Sequence, residues 1–283
     1  MLSVIIPSRL EAYLAPTVAD VLAKAEGAVE VVVVLDGWWP DPLPKDDPRV
    51  SYLHWGAPRG LRPSINAGMA LAKGEYVMKL DSHCALSQGY DAVLTRACDD
   101  RTIVIPAKHS LNVADWTPFR DPICYHYLSW PWTPGSHGGE TQAYERAYHE
   151  ARQATRIDET LSFQGSAWLM RRSHWDRLAP MDHEHYYYAQ EAEELGLRTW
   201  LGGGRVLTVK DAWYAHLWKG QSQKRTFSRE RVQWRQAMLW CARYWMTNQW
   251  KDRVHDYAWV IDKFGPLPGW PVDWDDQLPR LLA

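Results

Sequence analysis

The chain has 283 residues, a formal net charge of −2 and 46% hydrophobic residues, enough for one large domain or a domain with an extension. That balance excludes a uniformly basic binder of nucleic acid or membranes, and no run approaches the roughly 20 apolar residues that a bilayer-spanning helix needs. Cys84, Cys98, Cys124 and Cys241 form no CxxC pair and the first residues carry no basic leader, which points to a soluble, cytoplasmic protein in a reducing compartment.

Residues 2–6 and 29–35 are short β-branched runs, the pattern of strands buried on both faces. Between them, Leu14, Val18, Val21 and Leu22 fall at helical spacing. Residues 50–54, 76–80 and 102–105 read as further strands, separated by helical segments at 64–72 and 88–98. Such alternation predicts an α/β fold with a mainly parallel central sheet and helices on both faces. In open sheets of this type, ligands bind beyond the carboxyl ends of the strands. Asp36 ends the second predicted strand and Asp81 the fourth, so both are expected at that crevice. Residues 111–139, rich in Trp, Pro, Gly and Tyr, read as a long irregular excursion of the kind that usually carries function. A polar helix over 140–152, a strand over 163–170, a helix over 189–201, a tight Gly202-Gly203-Gly204 turn and a strand over 205–209 follow. Residues 264–283, with three prolines before Trp274, are expected to wrap the surface as a tail.

Asp81-Ser82-His83 holds the densest chemistry. Positions i and i+2 of an extended segment point to one side, and carboxylate and imidazole both ligate divalent cations. His216, after the 205–209 strand, is a third candidate ligand. On the tripeptide alone, a turn cap beside an ordinary histidine is the competing explanation.

Four stretches, in order, resemble a GT-A-fold glycosyltransferase of the family 2 type over roughly residues 1–216. They are Val4-Ile5-Ile6-Pro7-Ser8, Val33-Val34-Leu35-Asp36-Gly37, Asn66-Ala67-Gly68 before Ala72-Lys73-Gly74-Glu75-Tyr76, and Leu80-Asp81-Ser82-His83-Cys84. The last is similar to the Asp-x-His metal motif of the polypeptide N-acetylgalactosaminyltransferases. The stretch from Gln190 to Trp200 resembles their acidic helix, and Ala215-His216-Leu217-Trp218-Lys219 the segment with their last metal ligand.

The resemblance implies a Rossmann-like nucleotide-sugar-binding half (1–110), an acceptor half (111–216) and a helical C-terminal extension (217–283). It implies a UDP-sugar donor and a manganese or magnesium ion held by Asp81, His83 and His216. Asp36 would accept from the nucleobase, Pro7 and Ser8 would line the nucleoside pocket with Glu11 as a weaker candidate, and Arg62 and Lys219 would cover the phosphates. Glu191 is the candidate acidic residue at the reacting sugar, with Asp81 beside it. Ala192 departs from the Glu-Asp of inverting family 2 enzymes and from the Glu-Asn of the polypeptide transferases, so the stereochemical outcome stays open. Glu193 and Glu194 are expected on a solvated helix face.

Between residues 219 and 253, nine basic residues (Lys219, Lys224, Arg225, Arg229, Arg231, Arg235, Arg243, Lys251, Arg253) face only Glu230 and Asp252. Trp234, Trp240, Trp245 and Trp250 are interleaved. Basic side chains with aromatic faces are the ingredients of a nucleic-acid surface, and the alternative is the buried face of a helix with solvated arginines. The first reading makes DNA the partner and a 5-hydroxymethylpyrimidine base the acceptor, as for some bacteriophage glycosyltransferases, with the Trp-rich insertion at 115–132 packed against the DNA. A saccharide, lipid or peptide hydroxyl is the alternative acceptor. Two other classes compete: a non-haem iron oxygenase, whose ligand order and β scaffold differ, and a silent nucleic-acid binder that keeps a transferase-like core.

Overall fold

A computed structural model describes residues 1–41, 43–44, 46–132, 139–182, 190–219 and 231–282, and side chains throughout these except at 231–235 and 279–282. The strands and helices β1 (Leu2–Ser8), α1 (Leu14–Lys24), β2 (Val29–Asp36), β3 (Val50–Trp55), α2 (Leu61–Leu71) and β4 (Tyr76–Leu80) alternate in the expected order. Strands β4, β1, β2 and β3 lie side by side and parallel. Their continuous apolar runs follow from burial on both faces. Val4, Ile6, Val31 and Val33 join one core cluster, while Ile5, Val32 and Val77 join the other on the opposite face. Helix α2 reaches the sheet because Gly68 has no side chain; a Cβ there would lie 2.4 Å from Ile5 Cγ2. Pro63 sits in its first turn, where a missing N–H costs no helical bond.

The chain continues through β5 (Cys84–Leu86), α3 (Tyr90–Ala97), β6 (Thr102–Asn112), β7 (Thr117–Ile123), β8 (His126–Leu128), β9 (Thr141–Ala143) and α4 (Arg146–Ala151). Then come β10 (Ile157–Glu159), β11 (Ala167–Arg171), α5 (Arg172–Leu178), α6 (Glu191–Leu201) and β12 (Arg205–His216). The main sheet runs β10-β12-β6-β11-β4-β1-β2-β3, with β5 on β12 and β7 on β6. The expected parallel arrangement therefore holds for β4 to β3 and for the β6–β12 pair, whereas β11 lies antiparallel between β4 and β6. Pro106, which cannot donate to the ladder, stands at the point where β12 bulges between Val209 and Trp213.

Two expectations are corrected here. The stretch 111–139 is not irregular where it is described: β6 continues to Asn112, β7 folds back on it, and β8 pairs with β9. The helix expected over 140–152 shrinks to α4, because β9 takes its first residues into that pairing. Residues 133–138 lie outside the described residues.

The C-terminal part forms α7 (Arg231–Met246), α8 (Tyr257–Phe264) and α9 (Trp274–Leu282). Helix α7 buries Cys241, Trp245 and Met246 in the same cluster as Ile5 and Trp168. Trp240 and Trp250 pack against that cluster too, so these aromatic rings serve the core rather than a base-stacking surface. The side chains of Arg231, Trp234 and Arg235 are not described, and Lys224, Arg225 and Arg229 lie outside the described residues. The expected surface tail instead anchors: Trp274 is buried, and Trp270 Nε1 donates to the Leu128 carbonyl at 2.6 Å. All four cysteines are buried and free. Among the described residues no helix is long and apolar enough to cross a membrane.

Candidate metal centre

Asp81 follows the last residue of β4, where the parallel strands end. The antiparallel pairing of β5 with β12 sets Cys84 opposite His216, and Leu217 N donates to the His83 carbonyl at 3.1 Å. Strand pairing therefore carries His216 to the Asp-x-His turn. One ligand atom from each of Asp81, His83 and His216 lies within 4.8 Å of the others. His83 Nε2 and His216 Nε2 are 3.0 Å apart, and His216 Nε2 is 3.1 Å from Asp81 Oδ2. The three residues are half-buried.

The electrostatics favour a cation. Burial pushes the Asp81 carboxyl up, but Lys79, His216 and His83 outweigh it and hold it well below the usual carboxylate range. Burial draws His216 down to about 4 against its bond to Asp81, which leaves the imidazole neutral near pH 7, the form that ligates metal. His83 Nδ1 lies 2.9 Å from Glu11 Oε2. A carboxylate only accepts, so Nδ1 carries the proton and Nε2 turns its lone pair to the centre, the arrangement that orients ligand histidines. Two imidazoles and one carboxylate converging on a point suit manganese or magnesium together with oxygen ligands from a substrate. The donor set fits the ion.

Lys79 and Glu191 lie beside the centre. Lys79 is 1% exposed; its Nζ donates to Asp81 Oδ1 at 2.6 Å and to the Gly165 carbonyl at 2.5 Å, and stands 3.4 Å from Glu191 Oε2. Glu191 opens α6 and accepts from Trp168 Nε1 at 2.7 Å. Burial raises its pKa, against Lys79 and that indole bond. Lys79 was not anticipated from the sequence; the signal was a lysine inside the apolar run Tyr76-Val77-Met78-Lys79-Leu80.

The other expected residues divide. Glu11 is buried and binds both His83 and Lys219, which makes it a support of the metal centre as well as an anchor for Lys219. Pro7 and Ser8 end β1 at the same edge as Asp81; Ser8 Oγ is buried with no hydrogen-bond partner among the described residues. Asp36 is buried and accepts the backbone N–H groups of Arg59 at 2.5 Å and Gly60 at 3.1 Å, fixing the turn into α2. Arg62 is corrected: it is wholly buried, pairs with Glu194 and donates to the Asp182 carbonyl at 3.0 Å, so it does not reach a phosphate. Glu194 is corrected with it, from a solvated face to 0% exposure. Glu193 is partly buried and accepts from Thr141 N at 2.7 Å. The α6 face is therefore a wall of the molecule's interior.

The pattern of glycosyl transferase family 2 matches residues 3–178. The chain belongs to that family. Over 172 residues it is 25% identical to a Drosophila melanogaster protein assigned as polypeptide N-acetylgalactosaminyltransferase 13, covering 56% of this chain and 28% of that protein. The crystal structure of GalNAc-T7 with UDP, GalNAc and Mn2+ superposes with a TM-score of 0.70 at 16% identity, over 93% of this chain and 56% of that one. That likeness establishes the GT-A fold. S. aureus TarS overlaps less, with a TM-score of 0.49 at 16% identity, over 77% of this chain and 37% of its own. The chain thus spans about a quarter to a half of the length of the two N-acetylgalactosaminyltransferase relatives. The family and the parallel half of the sheet together remove the oxygenase reading.

Proposed function

We propose that this protein transfers a sugar from a UDP-sugar to a hydroxyl acceptor in a metal-dependent reaction. The observation that carries the proposal is the convergence of Asp81, His83 and His216 at the ends of β4 and β12. GalNAc-T7, the structure of like fold, was crystallised with UDP and Mn2+. A divalent ion held by these three residues would neutralise the charge that grows on the diphosphate as the sugar bond breaks. Pro7 and Ser8 line the nucleoside, and Asp36 uses its remaining acceptor capacity on the uracil. Lys219, tethered by Glu11, supplies positive charge to the phosphates. Glu191, with its raised pKa and its place beside Lys79, orients the reacting sugar or takes the acceptor proton.

For the acceptor, we infer the primary alcohol of a 5-hydroxymethylpyrimidine in DNA. Its support is the local excess of basic residues over 219–253, carried by Arg and Lys side chains and not by Trp240, Trp245 or Trp250. Phosphate contacts of this kind make binding fall steeply with salt. The test offers a panel of UDP-sugars, with manganese and with chelator, to DNA containing 5-hydroxymethylcytosine or 5-hydroxymethyluracil, and reads nucleoside mass after digestion. A hexose-sized gain that requires metal is the expected result. Metal-dependent hydrolysis of one UDP-sugar with no gain on DNA retains the transferase and removes this acceptor; no turnover of any UDP-sugar removes both and favours the silent binder.

A further inference from the structure

The two oxygens of Asp81 face different ways. Oδ2 lies 3.1 Å from His216 Nε2, on the side of the metal trio, while Oδ1 accepts from Lys79 Nζ at 2.6 Å. Strand geometry sets this up. Lys79 belongs to β4 and Asp81 follows it, and positions two apart in extended backbone point to one side.

Lys79 is 1% exposed, and its ammonium has three N–H donors. Three oxygens from three segments surround them: Asp81 Oδ1, the Gly165 carbonyl at 2.5 Å and Glu191 Oε2 at 3.4 Å. Glu191 is in turn fixed in place. Trp168, which faces Lys79 in the β4–β11 register, donates to its other oxygen at 2.7 Å. Gly165 lies so close that a Cβ there would stand 3.1 Å from Oε2.

These contacts decide the charge balance of the trio. Asp81 is its one carboxylate, the other two members being imidazoles, and that carboxylate already answers an ammonium. A divalent ion at the trio therefore meets a partly neutralised ligand and, across the Asp81 carboxylate, a fixed positive charge that burial shields little. Such an ion is left short of anions, and a nucleoside diphosphate supplies them. We propose that Lys79 is a built-in counter-cation that keeps the divalent ion loosely held until the donor diphosphate arrives. Its charge then adds to the attraction for that diphosphate, so ion and donor each strengthen the other's binding. This role rests on the metal and UDP-sugar reading given above and deepens it. Lys79 acts through Asp81 and Glu191, as a positioning residue.

The test uses the full chain with Mn2+ and UDP as probes. Free Mn2+, followed by electron paramagnetic resonance without nucleotide, should show about tenfold tighter binding to Lys79→Met than to the parent, the size typical of a supporting group. UDP titrated calorimetrically at saturating Mn2+ should bind Lys79→Met about tenfold more weakly. The opposite signs separate tuning from damage, because a disturbed site weakens both. Glu191→Gln keeps an acceptor for Trp168 Nε1 and leaves the ammonium with one anion fewer, so it should weaken Mn2+ binding without nucleotide. If Lys79→Met does not fold, Glu191→Gln decides alone, and Mn2+ affinity unchanged or raised in it overturns the proposal. Mn2+ affinity unchanged or lowered in a folded Lys79→Met protein overturns it too and leaves the metal reading standing, since Lys79 then only orients Asp81. Mn2+ bound by neither parent nor variant, with or without UDP, overturns the proposal and the metal reading together.

Discussion

The Asp81–His83–His216 centre and the Arg62–Glu194 pair are built alike. Each joins ionisable groups far apart in the chain, 135 positions for Asp81 and His216 and 132 for Arg62 and Glu194. They differ in closure. Around Arg62 every charge is answered from within: Glu194 also binds Arg198 at 2.6 Å and accepts from Asp182 N at 3.3 Å, and both members of the pair are wholly buried. At the centre, three ligand atoms converge while Lys79 neutralises Asp81 only from the side. A charged residue near a crevice is thus ambiguous until one asks whether the fold already satisfies it. The closed cluster holds α2 to α6, and the open one brings three donor atoms to one point.

The largest expected effect lies at the closed cluster. Arg62→Met leaves the buried Glu194 carboxylate with Arg198 as its one cationic partner among the described residues and should destabilise the protein by about 3 kcal/mol, the low end for a broken buried pair, read as a lower urea midpoint. The double replacement Arg62→Met with Glu194→Leu should recover most of that loss, because a buried ion pair exchanged for apolar side chains is often near neutral. A single variant as stable as the parent would erase the distinction drawn between the clusters. The open cluster should respond in the opposite sense. His83→Ala should lower sugar transfer by more than about 100-fold, exceeding the roughly 10–100-fold effect typical of second-shell changes. Its melting temperature without metal should stay close to that of the parent, since His83 is only half-buried. Metal should raise the parent's melting temperature, by mass action on the folded state, and should no longer raise that of His83→Ala.

The same contrast explains what the sequence revealed. Strands β1, β2 and β4 were legible because burial on both faces writes a continuous apolar run into the chain. The cluster of Asp81, His83 and His216 was legible in part because two of its members are two residues apart at a strand end. Arg62 and Glu194 misled, since an isolated sequence position does not show that its partner is 132 residues away. Strand β11 was placed by composition, but its antiparallel direction depends on which strands it enters between. Strand β6 was expected to stop at residue 105, whereas its pairing with β7 and β12 carries it to Asn112. Trp245 and its neighbours read equally well as stacking platforms or as core, and packing against Ile261 and Tyr257 in one cluster settled them as core.

The smallest effect tests the link between the two kinds of cluster, because Glu11 is a closed residue that serves the open one. It is buried, and the same Oε2 binds His83 Nδ1 and Lys219 Nζ. Burial pushes its pKa up, but His83 and Lys219 together bring it below the ordinary carboxylate value, so it is ionised at neutral pH. Glu11→Gln keeps an acceptor for the His83 N–H and removes the charge. Metal affinity should fall by about tenfold, the lower end of the range for such supporting groups, as measured from free Mn2+ by electron paramagnetic resonance. Glu11→Ala, which also removes the acceptor and frees the imidazole to turn, should approach about 100-fold. Unchanged metal affinity in both variants, with a raised KM for UDP-sugar, would mean that Glu11 acts through Lys219 on the diphosphate and not through His83 on the ion.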